Sequence, residues 1–380
     1  MSDSRPVRRS LAGRAFGAAP ESAAPRPPEP DASAASAASA ASAVRPRVDR
    51  DELPHVRTWM SWPSATSVWG RRLGGVQQDI ALIARTIAQF EPVLMCAADR
   101  SAAVAARAVC GPGVTVTEAI PTDDLWMRDT APVFRHDGVG GLDAVGLNFN
   151  GWGGKQTHVR DARVAAAVAD HQGLGFRTAS FVGEGGAIET DGEGTVMATE
   201  SSLVNRNRNR GMSRDQVEAA VLEAYGARRM IWVPGIRHRD ITDDHIDVTS
   251  RFIRPGVAMV QVPPQDRNDV WARGAREQFA LLSDATDARG RRLHLIPVHG
   301  PDTVRSRSSR FVDSYLNFHV VNGAVITAQF GDPPKDAAAR QALAGAFPGR
   351  DVIQLDVDRL MEGGGGIHCS TMHQPQTPVT

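Results

Sequence analysis

Near the C-terminus the run Glu362-Gly363-Gly364-Gly365-Gly366-Ile367-His368-Cys369-Ser370 delivers a cysteine directly after four glycines. Successive glycines carry a conformational cost for which a packed core has no use; they suit a backbone that passes close to a ligand. A cysteine placed there can meet a substrate, and its reactivity depends on how well the thiolate is stabilised. A surface turn followed by a buried structural cysteine is the competing account, and local sequence leaves both open. The glycines lack the GKS/T ending or GxGxxG pattern of a nucleotide loop. His368, Cys369 and His373 match no standard zinc spacing.

A second cluster, Asp243-Asp244-His245-Ile246-Asp247, flanks a histidine with carboxylates. Such a histidine can act as general acid and base, its charge state set by the neighbouring acids. Read as an extended stretch, it puts His245 and Asp247 on one face and turns Asp244 away. A solvated acidic loop is the alternative. The third cluster, Asp123-Asp124-Leu125-Trp126-Met127-Arg128-Asp129, sets three carboxylates around a tryptophan. That combination suits an organic cation, through charge-assisted hydrogen bonds and cation-π attraction; a structural ion pair of Arg128 with an aspartate, and Trp126 in the core, competes with it. Asn148-Phe149-Asn150-Gly151-Trp152-Gly153-Gly154 and Gly183-Glu184-Gly185-Gly186 again set glycines beside an aromatic or a carboxylate, as pocket walls or as turns.

The elements that would position these clusters alternate. Val76, Ile80, Ile83, Ile87 and Phe90 form one helical stripe before Pro92, and a buried strand follows at Val93–Met95. Ser213 and Gln216 have capping-box spacing, Val217, Val221 and Tyr225 supply the stripe, and Gly226 ends that helix before a strand at Met230–Val233. The pattern recurs with strands at Val257–Val262 and Leu293–Val298, a strand pair at Leu316–Val321 and Ala324–Ala328, and helices around Ala272–Leu282 and Ala337–Ala346. This is an α/β chain, and no Pro/Gly/Ser-rich linker divides residues 53–380, so one domain is preferred over two. Periodicity leaves a doubly wound sheet and modules about a pseudo-symmetric centre equally open.

Composition narrows the partner. Lys+Arg and Asp+Glu number 43 each, so no global field draws the chain to nucleic acid or an anionic membrane, and a small molecule is the expected ligand. Three cysteines, Cys96, Cys110 and Cys369, form neither a disulfide framework nor a CxxC site, which fits a reducing compartment. No apolar run approaches the roughly 20 residues of a membrane span. Residues 1–50, rich in Ala, Ser and Pro, read as a disordered tail before a domain at 51–380, with ordered structure beginning after Leu53. Arg8-Arg9 gives export through a twin-arginine signal as an alternative to a cytoplasmic location.

Taken in order, the segments resemble the agmatine deiminase family, part of the guanidine-modifying superfamily that includes the peptidylarginine and arginine deiminases. The resemblance runs from Pro54-His55-Val56-Arg57-Thr58-Trp59-Met60-Ser61-Trp62-Pro63 through Trp126-Met127-Arg128-Asp129-Thr130-Ala131-Pro132, Asn148–Gly154 and Glu184-Gly185-Gly186. It continues through Asp191–Thr195, Asn205-Arg206-Asn207, His245-Ile246-Asp247, Ser314–Phe318 and Phe330-Gly331-Asp332 to Gly365-Gly366-Ile367-His368-Cys369.

The resemblance implies a five-bladed pseudo-symmetric α/β-propeller of ββαβ-type modules with a central active-site channel. It implies Cys369 as nucleophile, His245 as acid and base, Asp129 and Asp247 as the guanidinium's carboxylates, and Trp126, Glu184, Trp152, Gly365 and Gly366 against the substrate. It implies hydrolysis of agmatine for polyamine formation, a small cationic guanidine as partner, and no metal or organic cofactor. The alternatives are another guanidine substrate, free or peptidyl arginine or a specialised metabolite, or a non-catalytic guanidine- or polyamine-binding protein; a homo-oligomer stays open. Val248 stands where agmatine deiminases often have Asn, Leu125 replaces a small polar residue, and Ser370–Pro375 replaces a Gln-rich ending.

Overall fold

The structure is a computed structural model that describes residues 45–65 and 67–377. The Ala/Ser/Pro-rich run assigned to a disordered tail lies, up to residue 44, outside the described residues. The strands, in chain order, are β1 His55–Ser61, β2 Val93–Cys96, β3 Val114–Thr117, β4 Val133–His136, β5 Leu142–Gly146, β6 Gly175–Thr178, β7 Ile188–Thr190 and β8 Thr195–Thr199. They continue with β9 Arg229–Val233, β10 Ser250–Arg254, β11 Val257–Val262, β12 His294–His299, β13 His319–Val321, β14 Ala324–Ala328, β15 Asp351–Leu355 and β16 Thr371–Pro375. The longer helices are α1 Leu73–Ile87, α2 Arg100–Cys110, α3 Val164–Gln172, α4 Arg214–Tyr225, α5 Val270–Asp284 and α6 Pro333–Ala346.

These strands form five small mixed sheets, ordered β16-β1-β2-β3, β4-β5-β6, β7-β8-β9, β10-β11-β12 and β13-β14-β15. Each repeats one connection: an antiparallel pair, a helix, and a return to a parallel third strand. The first sheet obeys it only by borrowing β16 from the far end of the domain, antiparallel to β1 with His55 opposite Pro375.

Local rules account for the elements. In α1, Val76, Ile80, Ile83 and Ile87 are fully buried, each contributing ~1.5–3 kcal/mol by leaving water; Phe90 falls in the turn beyond the helix end. At α4, Ser213 Oγ accepts from Gln216 N–H while Gln216 Oε1 accepts from Ser213 N–H, and Gly226 ends the helix in the left-handed region at φ 63°.

Two expectations need correction. The strand drawn over Leu316–Val321 shortens to His319–Val321, because Tyr315, Leu316 and Asn317 turn inward instead of pairing. The packed chain also begins before Leu53: Arg47 exchanges backbone hydrogen bonds with His136, Val48 N–H donates to the Tyr225 carbonyl, and Asp49 lies 2.6 Å from His136 Nε2. Among the described residues no helix is long and apolar enough to cross a membrane.

Candidate active site

The segment leading into the first strand of each antiparallel pair carries a polar group to a common place. Asp129 precedes β4, Glu184 and Gly186 precede β7, His245 and Asp247 precede β10, Asn317 precedes β13, and Cys369 precedes β16. Five modules thus contribute from the same point in their connection, although the residues span most of the sequence. Gly186 marks the convergence. A methyl group built on it would lie 2.9 Å from Asp129 Oδ1, 2.9 Å from His245 Nδ1 and 3.1 Å from Asp247 Oδ2, so any side chain there would occupy the space between them.

Cys369 is almost wholly buried and lines a cavity of about 820 Å³ together with Asp129, His245, Trp126, Trp152 and Gly365. Its Sγ receives a hydrogen bond from Asn317 Nδ2 at 3.1 Å and lies 3.5 Å from Asp247 Oδ2. Asn317 Oδ1 in turn accepts from Cys369 N–H at 3.3 Å, so one amide holds both the backbone and the thiol of Cys369. Gly365 stands where a methyl group would meet the Trp126 ring at 2.5 Å and Cys369 Cβ at 3.1 Å. The glycine run therefore lets the Trp126 ring pack directly against the loop bearing the cysteine.

The carboxylates differ in their surroundings. Asp129 accepts from Gly186 N–H at 3.0 Å and Trp152 Nε1 at 2.9 Å. Trp152 reaches it from a left-handed backbone at φ 55°, a conformation rare enough for a bulky residue to mark a functional constraint. Burial, with Glu184 and Asp247 adding to it, raises Asp129 to about 6 against the pull of His245. Asp247 is held low although burial opposes this, because His368 and His245 favour its charge. His368 Nδ1 lies 2.7 Å from Asp247 Oδ2, and its Nε2 lies 3.2 Å from Asp51 Oδ2. Asp247 Oδ1 is buried without a hydrogen-bond partner.

His245 Nε2 stands 3.4 Å from Glu184 Oε2, and Nδ1 stands 3.8 Å from Asp129 Oδ1; neither contact has hydrogen-bond geometry. Burial alone would depress the imidazolium, but Asp129, Glu184 and Asp247 outweigh it and raise His245 to about 9. The histidine is therefore cationic at neutral pH. Cys369 is pushed well above its ordinary value by burial and by Asp247 and Asp129. An organic cation set between those carboxylates would reverse the electrostatic part of that shift.

The predicted residues come together with adjustments. Glu184 is fully buried and lies outside the cavity wall; it presses on His245 and receives Arg208 Nε at 2.8 Å, so it meets the histidine and not the cavity. Gly366 likewise leaves the wall and makes room for Asn317 Oδ1. Asp123 and Asp124 do not join Asp129. Asp123 caps the Arg160 backbone, and Asp124 accepts from Trp69 Nε1 and Gln156 Nε2. Arg128 takes the structural role, 3.7 Å from Asp51. The stretch before β10 is not extended throughout: Asp243 and Asp244 have φ of 63° and 73°, and Ile246–Thr249 is a helical turn. His245 and Asp247 still converge, but Asp244 lines the cavity instead of turning away.

Asn317 and Arg208 are not singled out by chemistry, though each falls in or beside a motif segment, whereas Gly186 stands in the glycine run read as a pocket wall or a turn. An amide among apolar residues at Tyr315-Leu316-Asn317-Phe318 was the available signal, since a core side chain of that kind must find partners. The histidine pair flanking Cys369 finds carboxylates and a ring: His373 stacks on His55 at 4.8 Å, and among the described residues no group of three or more His, Cys, Asp or Glu is arranged to hold a metal.

The sequence model of the Porphyromonas-type peptidyl-arginine deiminase family matches residues 47–375. The chain belongs to this family. Among its relatives in the family, the agmatine deiminase of Stutzerimonas stutzeri is 38% identical over 346 residues, covering 85% of this chain and 93% of the relative. That of Ectopseudomonas mendocina is 37% identical over 348 residues with the same coverage of 85% and 93%. Among solved structures, the agmatine deiminase of Enterococcus faecalis superposes with a TM-score of 0.81 at 26% identity, covering 87% of this chain and 96% of that one. The family's α/β architecture is that of the five mixed sheets described above.

Proposed function

We propose that this chain hydrolyses agmatine to N-carbamoylputrescine and ammonia by covalent catalysis at Cys369. The observation that carries the reading is the convergence of a thiol, an imidazolium and two carboxylates about the space beside Gly186. The names of the relatives supply the substrate.

In this mechanism Asp129 and Asp247 Oδ1 take the guanidinium's N–H groups, which positions its central carbon and keeps its charge delocalised. The bound cation lowers the cost of ionising Cys369, whose proton passes to solvent water, and Asn317 holds Sγ toward that carbon. Thiolate attack forms the S–C bond and a tetrahedral adduct. His245, cationic at rest, protonates one amino nitrogen, and the C–N bond breaks to release ammonia and leave an S-alkylthiouronium. Neutral His245 then removes a proton from water as the water adds to the same carbon. Collapse breaks the C–S bond, the adduct's hydroxyl proton passing to the departing Cys369 sulfur, and leaves the ureido product and the restored thiol. Glu184, itself held ionised by Arg208, supports the imidazolium from behind. No Lewis acid is required, because the substrate is already a cationic electrophile.

We also read the five repeated modules as the blades of a pseudo-symmetric five-bladed propeller, with the converging segments lining its central channel. The antiparallel pair and parallel return strand common to the five sheets, and the closure of β16 onto β1, support this.

The test is steady-state formation of ammonia and ureido product from agmatine, arginine and an arginine-containing peptide, with chelator present. Agmatine is expected to be strongly preferred; no turnover of any guanidine would overturn the reading. Cys369→Ala is expected to lower turnover on the order of 10⁴-fold or more while agmatine still binds by calorimetry. Unchanged turnover would remove Cys369 from the mechanism.

A further inference from the structure

Asp244 is a carboxylate that the reaction at Cys369 does not use. It sits in the wall of the same cavity, 6% exposed, one residue before His245. Its backbone is held on both sides: its N–H donates to Asp240 Oδ1 at 3.1 Å, and its carbonyl accepts from Thr199 Oγ1 at 2.6 Å. With φ at 73°, the peptide is fixed in a left-handed turn that only a few residue types tolerate, Asp and Asn among them.

Among the described residues no lysine or arginine pairs with the side chain; the cation acting on it is the adjacent His245, which Asp129, Glu184 and Asp247 also share. Among the described residues no ion pair includes Asp244, and the Ile236 N–H also favours its charge. The cations nearby are otherwise engaged or turned outward. Lys155 Nζ is committed to Asp243 Oδ2 at 2.7 Å and the Ile241 carbonyl at 3.0 Å, while Arg239 on the same wall is exposed and makes no ion pair. Asp240, also on the wall, adds a second negative charge. Burial and Asp240 push Asp244 up to about 8; an acid in that position gains from any cation brought to it. Trp69, Trp126, Ile236 and Ile241 line the same cavity as Cys369 and Asp244, giving apolar surface suited to a methylene chain.

We propose that Asp244 docks the distal ammonium of the substrate, and so selects an alkylguanidine ending in an amine over one ending in a carboxylate. This rests on the reading of Cys369 as a guanidine-hydrolysing nucleophile. Agmatine has the required form, a guanidinium and an ammonium joined by methylenes. Free arginine carries an ammonium at the same carbon but adds an α-carboxylate, which Asp244 and Asp240 on that wall disfavour.

The experiment compares kcat/KM for agmatine and for n-pentylguanidine, in which a methyl group replaces the ammonium at equal length, in the native enzyme and in Asp244→Asn. Asparagine keeps the size and tolerates the left-handed backbone. The native enzyme is expected to favour agmatine roughly 10- to 100-fold, the range of a buried charge-assisted hydrogen bond. In Asp244→Asn that ratio is expected to collapse toward one, through a rise in KM for agmatine with kcat changed little. If both substrates lose equally, or the native ratio survives the substitution, Asp244 acts only on neighbouring His245 or not at all, and the inference is overturned while deimination stands. If the native enzyme turns over neither guanidine, the reading of Cys369 fails and takes the inference with it.

Discussion

Arg208 lies between Glu184 and Asp243 with its guanidinium fully buried, whereas around Cys369 the carboxylates Asp129 and Asp247 converge beside a cavity. The two regions share one kind of recognition in opposite states. Arg208 Nε donates to Glu184 at 2.8 Å, Nη1 to Asp243 at 2.8 Å and Asn207 at 3.0 Å, and Nη2 to the Thr242 carbonyl at 2.8 Å, so each nitrogen is engaged. At the other pair, Asp247 Oδ1 and both nitrogens of His245 are buried without hydrogen-bond partners, and such groups are costly to leave unmade. The filled pair is structure; the unfilled pair beside a thiol is a site. Glu184 joins them, since it accepts from Arg208 and faces His245 across 3.4 Å.

Substitutions can break this contrast. Asp129→Asn is expected to lower kcat/KM for agmatine by roughly 10²–10³-fold, the usual cost of removing one partner of a buried charge pair. Its unfolding midpoint in denaturant should change little, because the cation that Asp129 supports, His245, is not hydrogen-bonded to it and keeps Glu184 and Asp247, whereas Arg208 is bound directly to Glu184. A large loss of stability would mean that the two regions are alike. Arg208→Met should do the reverse. It strands two buried carboxylates and is expected to cost about 3–5 kcal/mol in chemical denaturation, with loss of activity following loss of fold.

Asn317→Ala sharpens the comparison within the site. It leaves the carboxylates in place and removes only the amide that orients Sγ, so kcat should fall by about 10- to 100-fold with little change in KM; a KM effect alone would make Asn317 a binding group. The smallest effect expected is on pH dependence. In the proposed mechanism Asp129 holds the guanidinium as a carboxylate; it is raised to about 6, so kcat/KM should fall as pH drops below about 6. In the same mechanism His245 expels ammonia as an imidazolium; it is raised to about 9, so activity should fall as pH rises above about 9. Glu184→Gln removes one of the charges that holds His245 up, and the alkaline limb should move to lower pH. A limb that stays in place would dissociate Glu184 from the histidine.

Much of the scaffold was legible because the forces that set it act over a few residues. The stripe Val76-Ile80-Ile83-Ile87, the Ser213–Gln216 capping box and the terminating Gly226 each act within one or a few helical turns. The motif segments likewise marked Cys369, His245, Asp129 and Asp247 before any contact was known. Segments whose partners lie far along the chain are not legible in this way. Asp124 and Asp129 share one motif, yet Trp69 and Gln156 draw the first away while Trp152 and Gly186 take the second. The local chemistry of residues 123–129 does not distinguish them; only the resemblance singles out Asp129.

What the sequence by itself determined is the α/β alternation, the helix limits set by caps and apolar stripes, and the set of residues able to do nucleophilic and acid-base chemistry on a cation. What only the tertiary structure decided is which of them meet: Asn317 with Cys369, Glu184 behind His245 instead of in the cavity, Asp244 in the wall, and β16 against β1. The physical reason is range. Hydrogen-bonded turns and side-chain periodicity are fixed by neighbours, whereas strands this short fit many partners equally well. Their choice, and the direction in which each connecting segment points its polar group, is made only when the five sheets pack and every buried donor and acceptor must be satisfied at once.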